Sequence, residues 1–291
     1  RFLHHFGAFL TKHPDSHGFR TIDRALHGIS APPSYPMTPT TRRNCKPLNQ
    51  GQRAMSDTPQ DADKPSPFLP TTGLPGLDHV FRGVQRGDNI VWQVQSLEEY
   101  AALVSRYAHA AIAQKRRLVY FRFADHGPLI DASPEVEIHH PHPGDGFDSF
   151  VDQVHSVIEA TGTETMYVFD SLSDLAEAWQ SDRMMANFFR LTCPRLFDLH
   201  TVTYFAIRRN THVESAIQMI TETTQFLLDT FRCREKLYIR PVKVQHRSAA
   251  AMNLIHAWED GDRFRPVADS GTVNFLHVRQ APITQDHAAA Q

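Results

Sequence analysis

Cysteines, long apolar runs and net charge are all scarce in this sequence. It holds three cysteines in 291 residues, Cys45, Cys193 and Cys233, and no two of them form a CxxC pair. This spacing argues against a disulfide framework or a cysteine zinc site and is typical of the reducing cytosol. No apolar run reaches the roughly 18 residues of a membrane span. A net charge of -2 gives no general attraction for nucleic acid or membranes. We therefore expect a cytoplasmic protein without nucleic-acid or membrane partners.

Two widespread catalytic signatures are absent from the sequence as well. It contains no GxxxxGK[ST] phosphate loop and no GxSxG nucleophile elbow. A triad enzyme built on such an elbow is therefore not expected. The histidine-rich run His139–Pro143 could attract a metal, but its prolines restrict the loop, and no cysteine or paired carboxylate with ligand spacing accompanies it. We interpret this run as a solvated loop.

Both ends of the chain are predicted to be disordered. Residues 1–68 mix Pro, Thr, Ser and Arg without an apolar period. Within them, residues 1–54 carry eight Lys/Arg and two Asp/Glu, a balance of 8 − 2 = +6. One interpretation of this segment is a disordered tail, or upstream sequence translated before a true start at Met55. The alternative is a transit peptide. The last stretch, 279–291, is also expected to be disordered, which leaves 69–278 as a single folded domain.

The stretch Asn89–Tyr100 is the clearest local signal in that domain. Its apolar run Ile90–Val94 predicts a buried strand, and a helix over 97–113 follows with apolar residues at i, i+3, i+4 and i+7. Ser96, followed three residues later by Glu99, is a capping-box signature at the start of the helix. A strand that turns directly into a helix is a common place for binding phosphate in α/β proteins.

The rest of the domain continues this alternation of strands and helices. Further strands are predicted at 118–123, 136–139, 166–170, 202–207, 225–231 and 236–244, with short strands to about 277. Helices are predicted at 147–158, 181–197 and 212–220. Ser171–Leu175 is interpreted as a turn. The pattern predicts an α/β fold with a mostly parallel sheet, helices on both faces and an antiparallel edge after residue 225.

Three motifs carry a resemblance to a known family. They are TGLPGLD at 72–78, RGD at 86–88 and VFDSLSDL at 168–175. In this order they resemble the RecA-like ATPases of the KaiC and RadA type, from about residue 71 to about residue 275. The resemblance implies a RecA-like P-loop NTPase fold. The strings GDNIVWQV, RLVYFRFA, YVFDSLSDL, FFRLTCPRLFDL and ITETTQ are similar to the KaiC-like amino-terminal region of some bacterial phosphoenolpyruvate synthases and pyruvate, phosphate dikinases.

The sequence departs from that family where the phosphate loop belongs. Only Gln95 separates the end of the strand at Val94 from the helix cap Ser96, so no loop is left to wrap a phosphate. Glu98 and Glu99 occupy the first helical turn, where they satisfy the helix dipole and repel a triphosphate. The Walker A motif is therefore degenerate.

Other family positions are retained. The resemblance implies that Asp170 is the Walker-B acid that would hold Mg²⁺, that Lys243 is the lysine directed at a neighbouring subunit's nucleotide, and that Arg247 lies near the arginine of the same pattern. The alternatives are a strand-end acid for Asp170 and a solvated lysine for Lys243. Any remaining ATP and Mg²⁺ site is expected at the carboxyl ends of the strands, and the vestigial nucleotide-binding candidates are Gln93, Ser96, Arg122, His126, Asp170 and Ser171.

Three functions are compatible with these observations. The first is a non-catalytic RecA-like module for regulation or assembly, which self-associates or docks on a dikinase-type enzyme domain. The second is an ATPase with an atypical phosphate site, for which Arg122, Lys243 or Arg247 would supply the missing cation. The third is the ATP-binding amino-terminal part of a phosphotransferase that makes phosphoenolpyruvate from pyruvate and ATP.

Overall fold

The computed structural model describes residues 67–280. The strands are β1 (Asn89–Val94), β2 (Leu118–Phe121), β3 (Val136–His139), β4 (Met166–Ser171), β5 (Val202–Arg208), β6 (Phe226–Cys233), β7 (Lys236–Val244), β8 (His256–Glu259) and β9 (Arg263–Pro266). The helices are α1 (Pro75–Phe81), α2 (Leu97–Ala113), α3 (Phe147–Thr161), α4 (Leu172–Trp179), α5 (Asp182–Asp198), α6 (Glu214–Thr223) and α7 (Ser270–Gln280), and a short 3-10 helix covers Pro143–Asp145.

All nine strands form one sheet in the order β3-β2-β4-β5-β1-β6-β7-β8-β9. The first six strands of that order are parallel to one another, and β7, β8 and β9 add an antiparallel edge. The prediction of an α/β fold with a mostly parallel sheet and an antiparallel carboxyl-terminal edge is therefore confirmed. Within residues 67–280, no helix combines the length and the apolar character that crossing a membrane requires.

The central strand β1 is buried on both of its faces. Ile90, Trp92 and Val94 pack into the core that holds α1 and α2. Val91 points the opposite way, into the core formed with α3, α4, α5 and α6. Side chains alternate across a strand, so a continuous apolar run is what a strand covered by helices on both faces requires.

The TGLPGLD motif forms a tight turn that is fixed against α2. Thr72 donates both its backbone N–H (2.9 Å) and its hydroxyl (2.6 Å) to the carboxylate of Asp78. Gly73 has a φ of +75°, and a Cβ atom placed there would lie 2.6 Å from the backbone N and Cα of Tyr107. Glycine is thus required both for the left-handed conformation and for the close approach of the two backbones.

The structure differs from the sequence predictions at three places. The expected strand 118–123 ends at Phe121, because the N–H of Phe123 donates to the side chain of Asp170 at the end of β4 instead of to a neighbouring strand. The segment interpreted as a turn after Ser171 is the helix α4. After β9 the chain forms helix α7, which was not predicted. The predicted leader and tail lie outside the described residues, apart from their innermost positions: Phe68 is buried in the core, and α7 ends at Gln280.

Candidate functional site

The carboxyl ends of the parallel strands meet at one edge of the sheet, and the chain leaves neighbouring strands in opposite directions there. After β1 it crosses through α2 on one face, whereas after β5 it crosses through α6 on the other. Likewise, β2 leads outward to β3 and β4 leads inward to β5. Such reversals open a crevice in which α/β proteins commonly bind ligands.

The connection between β1 and α2 is closed by the chain itself. Ser96 is the N-cap of α2, and its hydroxyl accepts a hydrogen bond from the backbone N–H of Glu99 at 3.4 Å. The carboxylate of Glu99 accepts from the N–H of Gln95 at 3.1 Å and from the hydroxyl of Thr230 at 3.3 Å. Glu99 therefore bonds one residue further back than the capping box predicts. Because its side chain is buried, a carboxylate of the protein occupies the end of α2.

A buried ion-pair cluster lies beside this closed connection. The N–H of Arg209 donates to the carbonyl of Val94 at 2.9 Å, and its guanidinium contacts the carboxylate of Asp229 and the carbonyl of Thr230. Arg240 donates to the second carboxylate oxygen of Asp229 at 2.7 Å. Burial raises the pKa of Asp229, and the two arginines offset only part of that rise. This cluster was not predicted from the sequence, although arginines stand at the end of β5 and directly after it, at positions 208 and 209.

Asp170, at the end of β4, has no exposed surface and is fully engaged by neighbouring donors. One carboxylate oxygen accepts from the hydroxyl of Tyr120, and the other accepts from the backbone N–H groups of Phe123 (2.9 Å) and Ala124 (3.0 Å). Burial raises the pKa of Asp170, while these hydrogen bonds and the nearby His126 act in the opposite direction. The carboxylate therefore fixes the chain as it leaves β2.

These surroundings do not fit a magnesium-bound nucleotide. Both oxygens of Asp170 are already used by three protein donors. Among the residues that the structure describes, no three His, Cys, Asp or Glu side chains are arranged to hold a metal ion. Since Mg²⁺ requires free oxygen ligands in octahedral geometry, and Glu99 occupies the helix end where a phosphate would bind, we derive no step through ATP or Mg²⁺.

Of the residues proposed for the strand ends, His126 lies beside Asp170. The Nε2 atom of His126 is 3.6 Å from Asp170 and 3.7 Å from Asp174. Its Nδ1 atom lies 2.6 Å from the carbonyl of Gly127, and Arg122 donates to the carbonyl of His126 at 3.0 Å. Asp174, which was not among the predicted site residues, is thus a further acid at this position.

Gln93 and Ser171 each accept a hydrogen bond that joins neighbouring elements at the carboxyl edge of the sheet. The main-chain carbonyl of Gln93 accepts from the hydroxyl of Thr230 at 3.1 Å. Ser171 is buried as the N-cap of α4, where its hydroxyl accepts from the N–H of Ser173 at 3.3 Å. Together with Ser96, they lie at the same edge of the sheet as Asp170.

Lys243 and Arg247 lie near the opposite edge, where the parallel strands begin. The ammonium group of Lys243 donates to the carbonyls of Thr221 (2.7 Å) and Glu222 (3.1 Å) at the end of α6. Arg247 is buried and forms an ion pair with Asp88, directly before β1. The structure therefore does not bring these two cations together with Asp170 in one protomer.

Comparison with known proteins adds no family to this description. Neither the models of known protein families nor the curated proteins contain a match to the chain.

Proposed function

We propose that this chain is a RecA-like module of the KaiC type that does not hydrolyse nucleotide and that serves regulation or assembly, next to a dikinase-type enzyme that makes phosphoenolpyruvate. The observation that carries the proposal is the two-residue connection between β1 and α2. It leaves no room for a phosphate loop, and Glu99 supplies the negative charge at the end of the helix.

Two other features support this proposal. Strand β1 lies between β5 and β6 in the middle of the parallel sheet, with helices on both faces, as a nucleotide-binding α/β fold requires. The acid at the end of β4, Asp170, is retained but bonds protein donors rather than facing an open cavity. Both features fit a fold that is preserved while its phosphate chemistry is lost.

Nucleotide titration of the full chain tests this proposal. A ligand present at 100 times its Kd stabilises a protein by about 2.7 kcal/mol, which for a domain of this size corresponds to a rise in Tm of roughly 5–10 °C. We expect ATP with Mg²⁺, ADP and phosphoenolpyruvate each at about 5 mM to leave the Tm unchanged within about 1 °C. We also expect calorimetry to detect no heat of binding. Incubation with ATP and Mg²⁺ should release no phosphate.

Two variants at the helix end sharpen the experiment. Glu99→Ala removes the buried carboxylate, whereas Glu98→Ala removes a neighbouring charge from the same turn but keeps the closure. If the short connection excludes nucleotide, neither variant should bind ATP. Glu99→Ala should melt below Glu98→Ala, because the N–H of Gln95 and the hydroxyl of Thr230 lose their acceptor. Saturable ATP binding by the wild-type chain would overturn the proposal and favour an ATPase with an atypical phosphate site.

Association with a partner is tested separately. We expect the full chain to elute from a size-exclusion column as an oligomer, or to co-elute with a phosphoenolpyruvate synthase or pyruvate, phosphate dikinase added to it. A monomer that fails to bind either enzyme would contradict the assembly role.

A further inference from the structure

Ser173, His212 and Asp182 form a continuous hydrogen-bonded series at the carboxyl end of the sheet. The hydroxyl of Ser173 lies 2.6 Å from Nε2 of His212, and Nδ1 of His212 lies 2.7 Å from a carboxylate oxygen of Asp182. The second oxygen of Asp182 accepts from the N–H of Val213 at 2.7 Å. The three residues come from the first turn of α4, the segment after β5 and the start of α5.

The partners in this series fix where its protons lie. An ionised carboxylate only accepts hydrogen bonds, so Nδ1 of His212 must carry the proton that it donates to Asp182. In the neutral imidazole, Nε2 is then the acceptor for the hydroxyl of Ser173. The N–H of Arg208 donates to the same hydroxyl oxygen at 2.8 Å, which directs the hydroxyl proton of Ser173 toward His212 and leaves one lone pair on the oxygen.

A cavity adjoins these side chains. It has a volume of about 500 Å³, and Ser173, His212 and Asp182 all line it. This volume lies within the range of small-molecule sites. Arg183 and Arg208 line the cavity together with Glu177 and Asp182, and the guanidinium of Arg208 is paired with Asp174 and Glu177. The charges of the lining therefore balance, which suits a neutral ligand.

We propose that Ser173 is a nucleophile for acyl transfer from small carboxylic esters, with His212 as the general base and Asp182 as the residue that orients it. The hydroxyl oxygen of Ser173 forms a bond to the carbonyl carbon while its proton passes to Nε2 of His212. The bond to the leaving alcohol then breaks, and His212 returns the proton to that alcohol. Water attacks the acyl group through the same base, which releases the acid and restores the hydroxyl of Ser173.

The position of Ser173 at the start of a helix bears on the oxyanion. It lies two residues past the end of the buried strand β4, in the first turn of α4. Amide groups of the first helical turn have no intrahelical acceptor. The N–H of Asp174, directly after Ser173, is therefore suited to stabilise the oxyanion.

Labelling of the full chain with a fluorophosphonate tests this proposal. We expect one adduct per chain, which peptide mass spectrometry locates on Ser173, together with turnover of p-nitrophenyl acetate that the adduct abolishes. Ser173→Ala should eliminate both. Asp182→Asn should slow labelling by about 10³–10⁴-fold, because the histidine would lose the partner that fixes its tautomer.

A second Ser–His pair provides the matched control. The hydroxyl of Ser105 lies 3.5 Å from Nδ1 of His109 on the exposed face of α2. Ser105→Ala should therefore label at the wild-type rate. Circular dichroism establishes that each variant is folded. Wild-type protein that remains folded but gains no adduct, or gains it at a residue other than Ser173, would overturn the proposal. Neither result depends on nucleotide binding, so this inference and the proposed function can fail separately.

Discussion

The role of Asp170 can be decided by two substitutions that differ in how many hydrogen-bond acceptors remain at position 170. In the wild-type chain, its two carboxylate oxygens accept from the hydroxyl of Tyr120 and from the N–H groups of Phe123 and Ala124. Asp170→Asn keeps one oxygen for the two backbone donors but loses the charge and one acceptor. Asp170→Ala leaves all three donors without their acceptor inside the core.

The expected magnitudes follow from these contacts. A hydrogen bond to a charged group contributes roughly 1.5–3 kcal/mol and a neutral one roughly 0.5–1.5 kcal/mol. Asp170→Asn weakens the bonds to Phe123 and Ala124 and should therefore cost about 2 kcal/mol. Asp170→Ala leaves three buried donors unpaired at roughly 1–3 kcal/mol each, so a loss of about 3–9 kcal/mol is expected. At roughly 2–4 °C per kcal/mol for a domain of this size, the asparagine variant should melt about 4–8 °C lower.

Thermal unfolding followed by circular dichroism, with and without Mg²⁺, provides the measurement. Asp174→Asn is the matched control, since Asp174 is partly exposed and one of its carboxylate oxygens has no hydrogen-bond partner; it should shift the Tm by less than about 3 °C. The reasoning would be refuted if Asp170→Asn had the same Tm as the wild type, and if Mg²⁺ raised the Tm of the wild type but not that of the variant. That outcome would identify Asp170 as a metal ligand instead of a structural acceptor.

Other buried groups should respond to substitution or pH as follows. Arg247→Ala should cost about 3–5 kcal/mol in urea denaturation because Asp88 remains charged and buried, and Asp88→Asn in the same chain should recover part of that loss. Burial lowers the pKa of His256 below 6.5. As the pH falls, the unfolded chain therefore binds a proton at this histidine before the folded chain does. The contribution of His256 to the free energy of unfolding should be full above about pH 6.5 and fall by up to about 1.4 kcal/mol per pH unit below it. His256→Phe should flatten this slope, and an unchanged slope would exclude His256 as its source. Lys243→Met should lower the free energy of unfolding by only about 0.3–1 kcal/mol, because the carbonyls at the end of α6 lose one cation. Dissociation of an oligomer at unchanged monomer stability would instead favour a role between subunits.

Periodicity allowed the prediction of the long elements because their apolar residues face one core. The strand Asn89–Val94 and the helix Leu97–Ala113 were predicted from such patterns, and their bounds agree with the structure to within one residue. Helix α4 was missed because it begins directly at a buried strand end, where Ser171 and Asp170 indicated a capped turn. The spacing of Leu172, Leu175, Ala176 and Trp179 does carry a helical signal, and it could have been used.

The candidate site was only partly predictable, for a different reason. The sequence placed Asp170 and His126 at neighbouring strand ends, because parallel strands end at the same edge. It did not give the partner Tyr120, which lies 50 residues earlier. The contact between Asp182 and His212 likewise joins positions 30 residues apart. Such pairs depend on how helices pack against the sheet, and local periodicity carries no information about that packing.

The two-residue connection between β1 and α2 also determines what it would take to build a phosphate loop at this place. A GxxxxGK[ST] motif needs eight residues, whereas only Gln95 and Ser96 separate strand from helix here. No combination of point substitutions can lengthen a chain segment, so nucleotide binding through such a loop would require an in-frame insertion. That insertion would also have to displace Glu99 from its buried hydrogen bonds. In genetic terms, the barrier to such a site is therefore an insertion rather than a set of point mutations.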